Sequence, residues 1–390
     1  MTSALEGVRV LDFGRVLAAP YATMLLADLG AEVLKIESPQ GDDTRHWGPP
    51  WRDGESTYFR AVNRNKVSVV LDLRDADDAA RARDLVRTSD VLVENFRPGT
   101  MDRHGLGYDA ARKLNPGIVY CSITGFGTKG GRQLPGYDLL IQATSGLMSI
   151  TGEAAAPTKV GVALIDVVTG LHATIGILAA LRHRSRTGEG QRVEANLLSS
   201  ALSALTNQAS AYVEGGITPT ATGNDHPSIV PYGVFETSDG AMVLAVGNDR
   251  QFSSLMQILG RPDLAEDPRY ATNAKRVENR QDLVKLLNRL LTTAPKAVWI
   301  TKLSNAGVPA GQVNSIAEAF ELAECLGLAP VLDLISGETR SRQVANPIGL
   351  SRTPPRYVSP PPAFMAGRRP TPPAGSCSSD CARPQVNGHH

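Results

Sequence analysis

The chain is short of cysteine, short of aromatic residues and without an excess of charge of either sign. Only 4 of its 390 residues are Cys, and two of them, Cys377 and Cys381, fall near the end of the sequence. That is too few for a disulfide framework in a chain of this size, so a reducing, cytoplasmic compartment is expected. Lys plus Arg number 40 against 39 Asp plus Glu, a formal charge of +1, and nothing marks a nucleic-acid binder. No run approaches the roughly eighteen uninterrupted apolar residues of a membrane span. The opening MTSALEGVRVLDFG likewise joins no basic stretch to an apolar one, so neither a membrane segment nor a secretory signal is expected.

What is present is an alternation of strand-length apolar runs with helix-period segments. VRVLDF (8–13), EVLKIE (32–37), VSVVLDL (67–73), DVLVENF (90–96) and GIVYCSI (117–123) read as strands, with helices near 20–29 and 75–87 between them. Runs such as VSVVLDL are apolar throughout rather than alternating, which predicts a parallel sheet covered on both faces. The expected class is α/β, a Rossmann-like large domain over residues 1–214. Asp166 to Leu181 reads as a long buried helix with an acidic start and a basic finish in RHRSR. Near Gly215 the composition turns to Gly, Pro, Asn and Thr, and a smaller α+β domain is expected beyond it, over 215–318. The proline-rich end, 356–390, has no period and is expected to be poorly ordered.

The first βα turn, DFGRVLAAP (12–20), lacks the glycines of a dinucleotide fingerprint, so NAD(P) is disfavoured although Glu37 stands near the position of a ribose-binding acid. Arg15 in that turn can still meet a phosphate through its side chain. After the strand ending near Asn95 and Phe96, Pro98 and Gly99 open a helix around Thr100 to His104, and with Arg97 and Arg103 this loop is a candidate anion site. Asp166 is an acid amid the most apolar part of the chain. It reads either as a helix N-cap or as a carboxylate nucleophile, and a helix N-terminus that favours the ionised form suits both. His226, with Gly223 and Asn224, lies in a loop at the proposed domain junction, where clefts form; solvation of the loop is the alternative. His46 is expected to pack. Cys377, Cys381, His389 and His390 match no strong zinc spacing, and no metal site is expected.

Taken together, DFGRVLAAPYATMLLADLGAEVLKIE, ENFRPGTMDRHGLGY, NPGIVYCSITGFGTKG, GYDLLIQATSGLMSITG, GVALIDVVTGLHATIGILAALRHRSRTGEGQRVEANLL and DPRYATNAKRVENR resemble the class III CoA-transferases over about residues 5–330. The pattern is similar to the succinyl-CoA:glutarate and carnitine-type branch. The closing helix of such proteins has no counterpart in PPPAFMAGRRPTPPAGSCSSDC. The resemblance implies a large domain formed by both chain ends, with residues 319–355 returning to it, and an interlocked homodimer. It implies that Asp166 attacks an acyl-CoA thioester and carries the acyl group and then CoA covalently. It also implies that Arg15, Val16, Leu17, Asn95, Phe96, Arg97 and Arg103 meet CoA, with Ser38 where a relative has arginine. Asp138 would lie near the nucleophile on the substrate side. CoA is then a substrate, with no tightly bound cofactor.

A racemase of the same fold uses a His in a Gly-His-Asp run. Here the run is Gly136, Tyr137, Asp138, and a Tyr with an ordinary pKa is a poor base at neutral pH. A non-catalytic CoA-binding protein is the remaining alternative. The polar loop of Gly223, Asn224 and His226 favours a dicarboxylate acceptor, since a distal carboxylate needs hydrogen-bond partners.

Overall fold

The computed structural model describes residues 2–337 and 339–364. Six strands, β1 (Arg9–Asp12), β2 (Glu32–Glu37), β3 (Lys66–Val70), β4 (Val91–Glu94), β5 (Val119–Thr124) and β6 (Arg192–Asn196), form one sheet in the order β6-β5-β4-β1-β2-β3. Every pairing in it is parallel. Alternate residues feed opposite faces, as the period of two requires. Val10, Val33, Val91, Val93 and Val119 enter one apolar cluster, and Leu11, Ile36, Leu92 and Tyr120 enter another. This is why the strands read as unbroken apolar runs.

Helices α1 (Ala18–Asp28) and α4 (Leu164–Thr187) cover the first face and α2 (Ala76–Thr88) the second. By length and composition alone α4 could cross a membrane. It lies instead against α1 and the sheet, burying Ile165, Thr169, Gly170, Ala173 and Ile177, and it ends at Gly188, whose φ of 78° is the left-handed conformation of a helix stop. Asp166 is the third helical residue of α4 and not its N-cap, which is Ala163 with no side-chain cap. The capping alternative for Asp166 is thereby overturned.

Residues 232–312 contain an antiparallel three-stranded sheet, Tyr232–Thr237, Gly240–Ala245 and Ala310–Gln312, packed on helices with Phe235, Leu244, Phe252, Leu287 and Trp299 in its core. Arg276 is fully buried there, donating to the carbonyls of Val230 (2.7 Å) and Tyr270 (2.9 Å) and to Asp249 (2.7 Å). After a hairpin, Val331–Ser336 and Thr339–Val344, the chain runs back along the first domain. Arg64 donates to the Val344 carbonyl (2.9 Å), Asn346 to Asp28 (3.1 Å), and the Asn65 N–H to the Ser359 carbonyl (3.0 Å). Residues 356–364, within the stretch expected to be poorly ordered, lend the carbonyls of Arg356 and Ser359 to Asn65 and that of Pro362 to Arg45. The rest of the expected tail, with Cys377, Cys381, His389 and His390, lies outside the described residues.

α1 and α4 cross closely because Gly170 has no side chain. A Cβ there would stand 2.7 Å from the Ala18 carbonyl oxygen and 3.1 Å from the Tyr21 ring. Gly170→Val is therefore expected to cost about 1–3 kcal/mol of stability in a urea titration, and an unchanged midpoint would contradict the close crossing.

Candidate active site

The strand order reverses between β1 and β4, so the turns leaving their carboxyl ends diverge and open a crevice, the usual ligand position in such a sheet. From β1 come Arg15, Val16 and Leu17, and from β4 come Asn95, Phe96 and Arg97. All six line one cavity of about 150 Å³ together with Tyr137 and Asp166. Seven of the site residues expected from the sequence are thus brought together, from three separate stretches of chain.

Asp166 reaches this cavity from the first turn of α4, and Asp138, on α3 (Asp138–Thr144), holds that turn in place. The N–H groups of Ile165 and Asp166 donate to Asp138 Oδ1 at 2.7 and 3.3 Å, and Gln142 Nε2 donates to Asp138 Oδ2 at 2.5 Å. Asp138 therefore supplies the helix cap from 28 residues away. Both of its oxygens accept hydrogen bonds, so it supports the first turn of α4, and it does not itself line the cavity. Burial, and then the neighbouring Asp138 charge, raise the Asp166 pKa from 3.8 to about 7. Desolvation outweighs the pull of the helix start toward the ionised form.

A carboxylate that is poised near neutrality in a crevice with two guanidinium groups can act covalently on an activated acyl group. The model of one family, described as CoA-transferase family III, matches residues 5–367. The chain belongs to that family. The match runs past the roughly 330 residues over which the resemblance was read and takes in the returning segment. Succinyl-CoA:glutarate CoA-transferase of Mus musculus is 45% identical over 85% of this chain and 76% of its own length. Succinate–glutarate CoA-transferase of Agrobacterium fabrum is 44% identical over 92% of each. A CAIB/BAIF family protein from Brucella suis has a solved structure that superposes with a TM-score of 0.83 at 39% identity, covering 94% of this chain and 97% of its own. The protein is a class III CoA-transferase.

A second cavity of about 180 Å³ adjoins the first through Phe96, and Ser38, Leu71, Asp72, Thr100 and His104 line it. Arg103 is exposed beside it, donating to Thr100 Oγ1 at 3.1 Å. The helix expected there is one turn, Thr100–Arg103, after Gly99, so the anion-binding power rests on side chains more than on a macrodipole. Glu37, the candidate ribose acid, is buried in an ion pair with Arg45 at 2.6 Å and is not available to a ribose. His46, expected to pack, is exposed, while its neighbour Trp47 meets the Tyr58 ring edge-on at 5.6 Å.

Gly223, Asn224 and His226 do not line the Asp166 cavity within one chain. The Gly223 N–H donates to the Gly152 carbonyl (3.0 Å), and His226 Nδ1 accepts from the Ser228 N–H (3.2 Å) while its ring tilts against Tyr232 at 5.1 Å. With Nδ1 accepting, the neutral ring carries its proton on Nε2. Among the described residues no group of three His, Cys, Asp or Glu side chains is arranged for a metal.

Sequence reasoning missed Lys35, Asp42 and Tyr58. The Tyr58 phenol is pushed up to about 12 by burial and by the charges of Asp166, Asp138 and Asp42, so it stays protonated beside the acids. A lysine at the centre of a strand buried on both faces was the available signal for the other two.

Because the folded state raises the pKa of Asp166, it holds that proton more tightly than the unfolded chain between pH 3.8 and about 7. Stability then falls as pH rises through that window. Asp166→Asn is expected to melt at a higher temperature than wild type at about pH 8, with the advantage shrinking as pH drops through the window. A pH-independent difference in melting temperature would contradict the raised pKa.

Proposed function

We propose that the enzyme moves CoA from succinyl-CoA to a small dicarboxylic acid of the glutarate type, with Asp166 as the covalent relay. The observation that carries this reading is that Asp166 opens into the same cavity as Arg15 to Leu17 and Asn95 to Arg97. The relatives named for succinyl-CoA and glutarate support the choice of acids.

In the first step an Asp166 oxygen attacks the thioester carbonyl, the C–S bond breaks, and an Asp166–succinyl anhydride and CoA thiolate form. The thiolate then attacks the Asp166 Cγ, succinate leaves with its carboxylate oxygen, and an Asp166–CoA thioester remains. The incoming carboxylate attacks the same carbon and expels the thiolate, which then attacks the new acyl group and frees Asp166. Every step exchanges one acyl bond for another, so the thioester's free energy stays in the site and no net proton is needed. A desolvated carboxylate is the better nucleophile for this, and burial of Asp166 supplies that condition.

Arg15 and Arg97 face the CoA phosphates in this reading, with Phe96 between the two cavities and Arg103 at the rim of the second; a guanidinium matches phosphate oxygens in pairs. CoA is the substrate, and no tightly bound cofactor takes part. The working unit is an interlocked homodimer. Its support is the apolar side chains Leu139, Leu171, Ile175, Leu202 and Tyr212, which are 39–64% exposed in one chain around the nucleophile's helices. In that dimer the 223–226 loop closes the acceptor side of the cavity. Among the described residues Cys121 and Cys325 are free thiols, which supports a reducing, cytoplasmic setting.

Asp166→Ala is expected to abolish exchange between succinyl-CoA and isotopically labelled succinate, by about a thousandfold or more, while CoA still binds in calorimetry. Retained exchange would refute the covalent role. His226→Ala is expected to lower kcat/KM for glutarate about tenfold and to leave a matched monocarboxylate nearly unchanged. An equal fall for both acids would remove the loop from acceptor recognition.

A further inference from the structure

Val16 has a φ of 67°, and among the described residues it is the β-branched side chain in the left-handed region that also lines the Asp166 cavity. A Val resists that conformation, because its branched Cβ crowds the following carbonyl, so the turn has to be held there by its surroundings. Four side chains grip it. Asn95 makes two bonds to the backbone of Arg15, accepting its N–H at 2.8 Å and donating to its carbonyl at 2.7 Å. Buried Lys35 donates to the Gly14 carbonyl at 2.7 Å and to Asp42 at 2.9 Å. Asp42 in turn accepts from the Val16 N–H at 3.4 Å, and Asp12 accepts from the Gly14 N–H at 2.8 Å.

We propose that Asn95 and the buried Lys35–Asp42 pair are positioning residues, which act on the reaction by locking the turn Gly14–Leu17 in its strained form against the Asp166 cavity. Asn95 was carried over from the resemblance as a CoA contact, and in the structure both of its polar atoms also bond the Arg15 backbone. Lys35 has no exposed surface through which to meet a ligand. The pair holds its charges firmly: burial opposes the Lys35 charge, yet Asp42, Asp12 and Glu37 together raise its pKa, and Lys35 lowers that of Asp42. Loss of the Asn95 clamp lets Val16 relax to negative φ and turns the cavity wall away from the acyl group. Glycine at 16 accepts the left-handed form without that bias, so it retains the competent turn when the clamp is missing.

This inference rests on the transferase reading for its effect on rate, and the test separates the two. Asn95→Ala, Val16→Gly and the double variant are compared with wild type for succinyl-CoA exchange, for melting temperature and for amide hydrogen exchange of residues 14–18 without ligand. Asn95→Ala is expected to lower exchange activity and to speed hydrogen exchange in the turn at nearly unchanged melting temperature. Val16→Gly is expected to reduce activity in the wild-type background but to raise it about tenfold in the Asn95→Ala background. That reversal of sign is a result that loss of a CoA contact would not produce. The same fold loss from Val16→Gly in both backgrounds, or unchanged hydrogen exchange in Asn95→Ala, overturns the inference. A wild type that exchanges CoA with no acid overturns the transferase reading instead, and the ligand-free hydrogen exchange still decides whether Asn95 holds the turn.

Discussion

The bond from the Ile165 N–H to the Asp138 carboxylate, 2.7 Å long, fixes where Asp166 stands and brings a second carboxylate close to it. By capping α4 from a different helix, Asp138 lets the first turn of α4 be buried without orphaned N–H groups. The same charge, close to Asp166 in a site already poor in water, opposes a second carboxylate there. A carboxyl poised near neutral pH therefore arises first from desolvation and then from helix capping done with an acid. The cost is borne by stability, the usual exchange at a site that keeps a charge away from solvent.

The sheet supplies the other half of the site. Reversal of strand order at β1 and β4 leaves a gap over their ends, and the residues that fill a dinucleotide-binding turn with glycine are here Arg15, Val16 and Leu17. Such a turn does not offer the close backbone approach of a glycine loop, and its Arg15 offers a side-chain cation instead. The turn that results is strained, and buried charges beneath it keep its form: Asp12 with Lys66 at 3.1 Å and Asp42 with Lys35 at 2.9 Å. Such pairs contribute little net stability once desolvation is counted, but removing one partner leaves an unpaired buried charge, so they favour a single geometry.

The strands were legible because both faces of a parallel sheet are buried, and EVLKIE reads directly as Glu32–Glu37. Asp166 was legible as a candidate for the reason that made it ambiguous, an acid at the start of an apolar helix. Its neighbours could not be read in the same way. Asp138 caps α4 across 28 positions and Asn95 clamps Arg15 across 80, and no periodicity or spacing rule reports partners so distant in sequence. The proline-rich composition near the end of the chain says nothing about the Ser359 carbonyl that is lent to the Asn65 N–H. The 223–226 loop was singled out for its chemistry, while the bond of its Gly223 N–H to the Gly152 carbonyl is another contact that no spacing rule reports.

The proposed covalent relay through Asp166 is tested most directly by trapping. The wild-type enzyme, mixed with succinyl-CoA and quenched with hydroxylamine, is digested and mapped by mass spectrometry. A hydroxamate on Asp166, absent when succinyl-CoA is withheld, is the predicted result. A hydroxamate on another carboxylate, or none during measurable turnover, would contradict it.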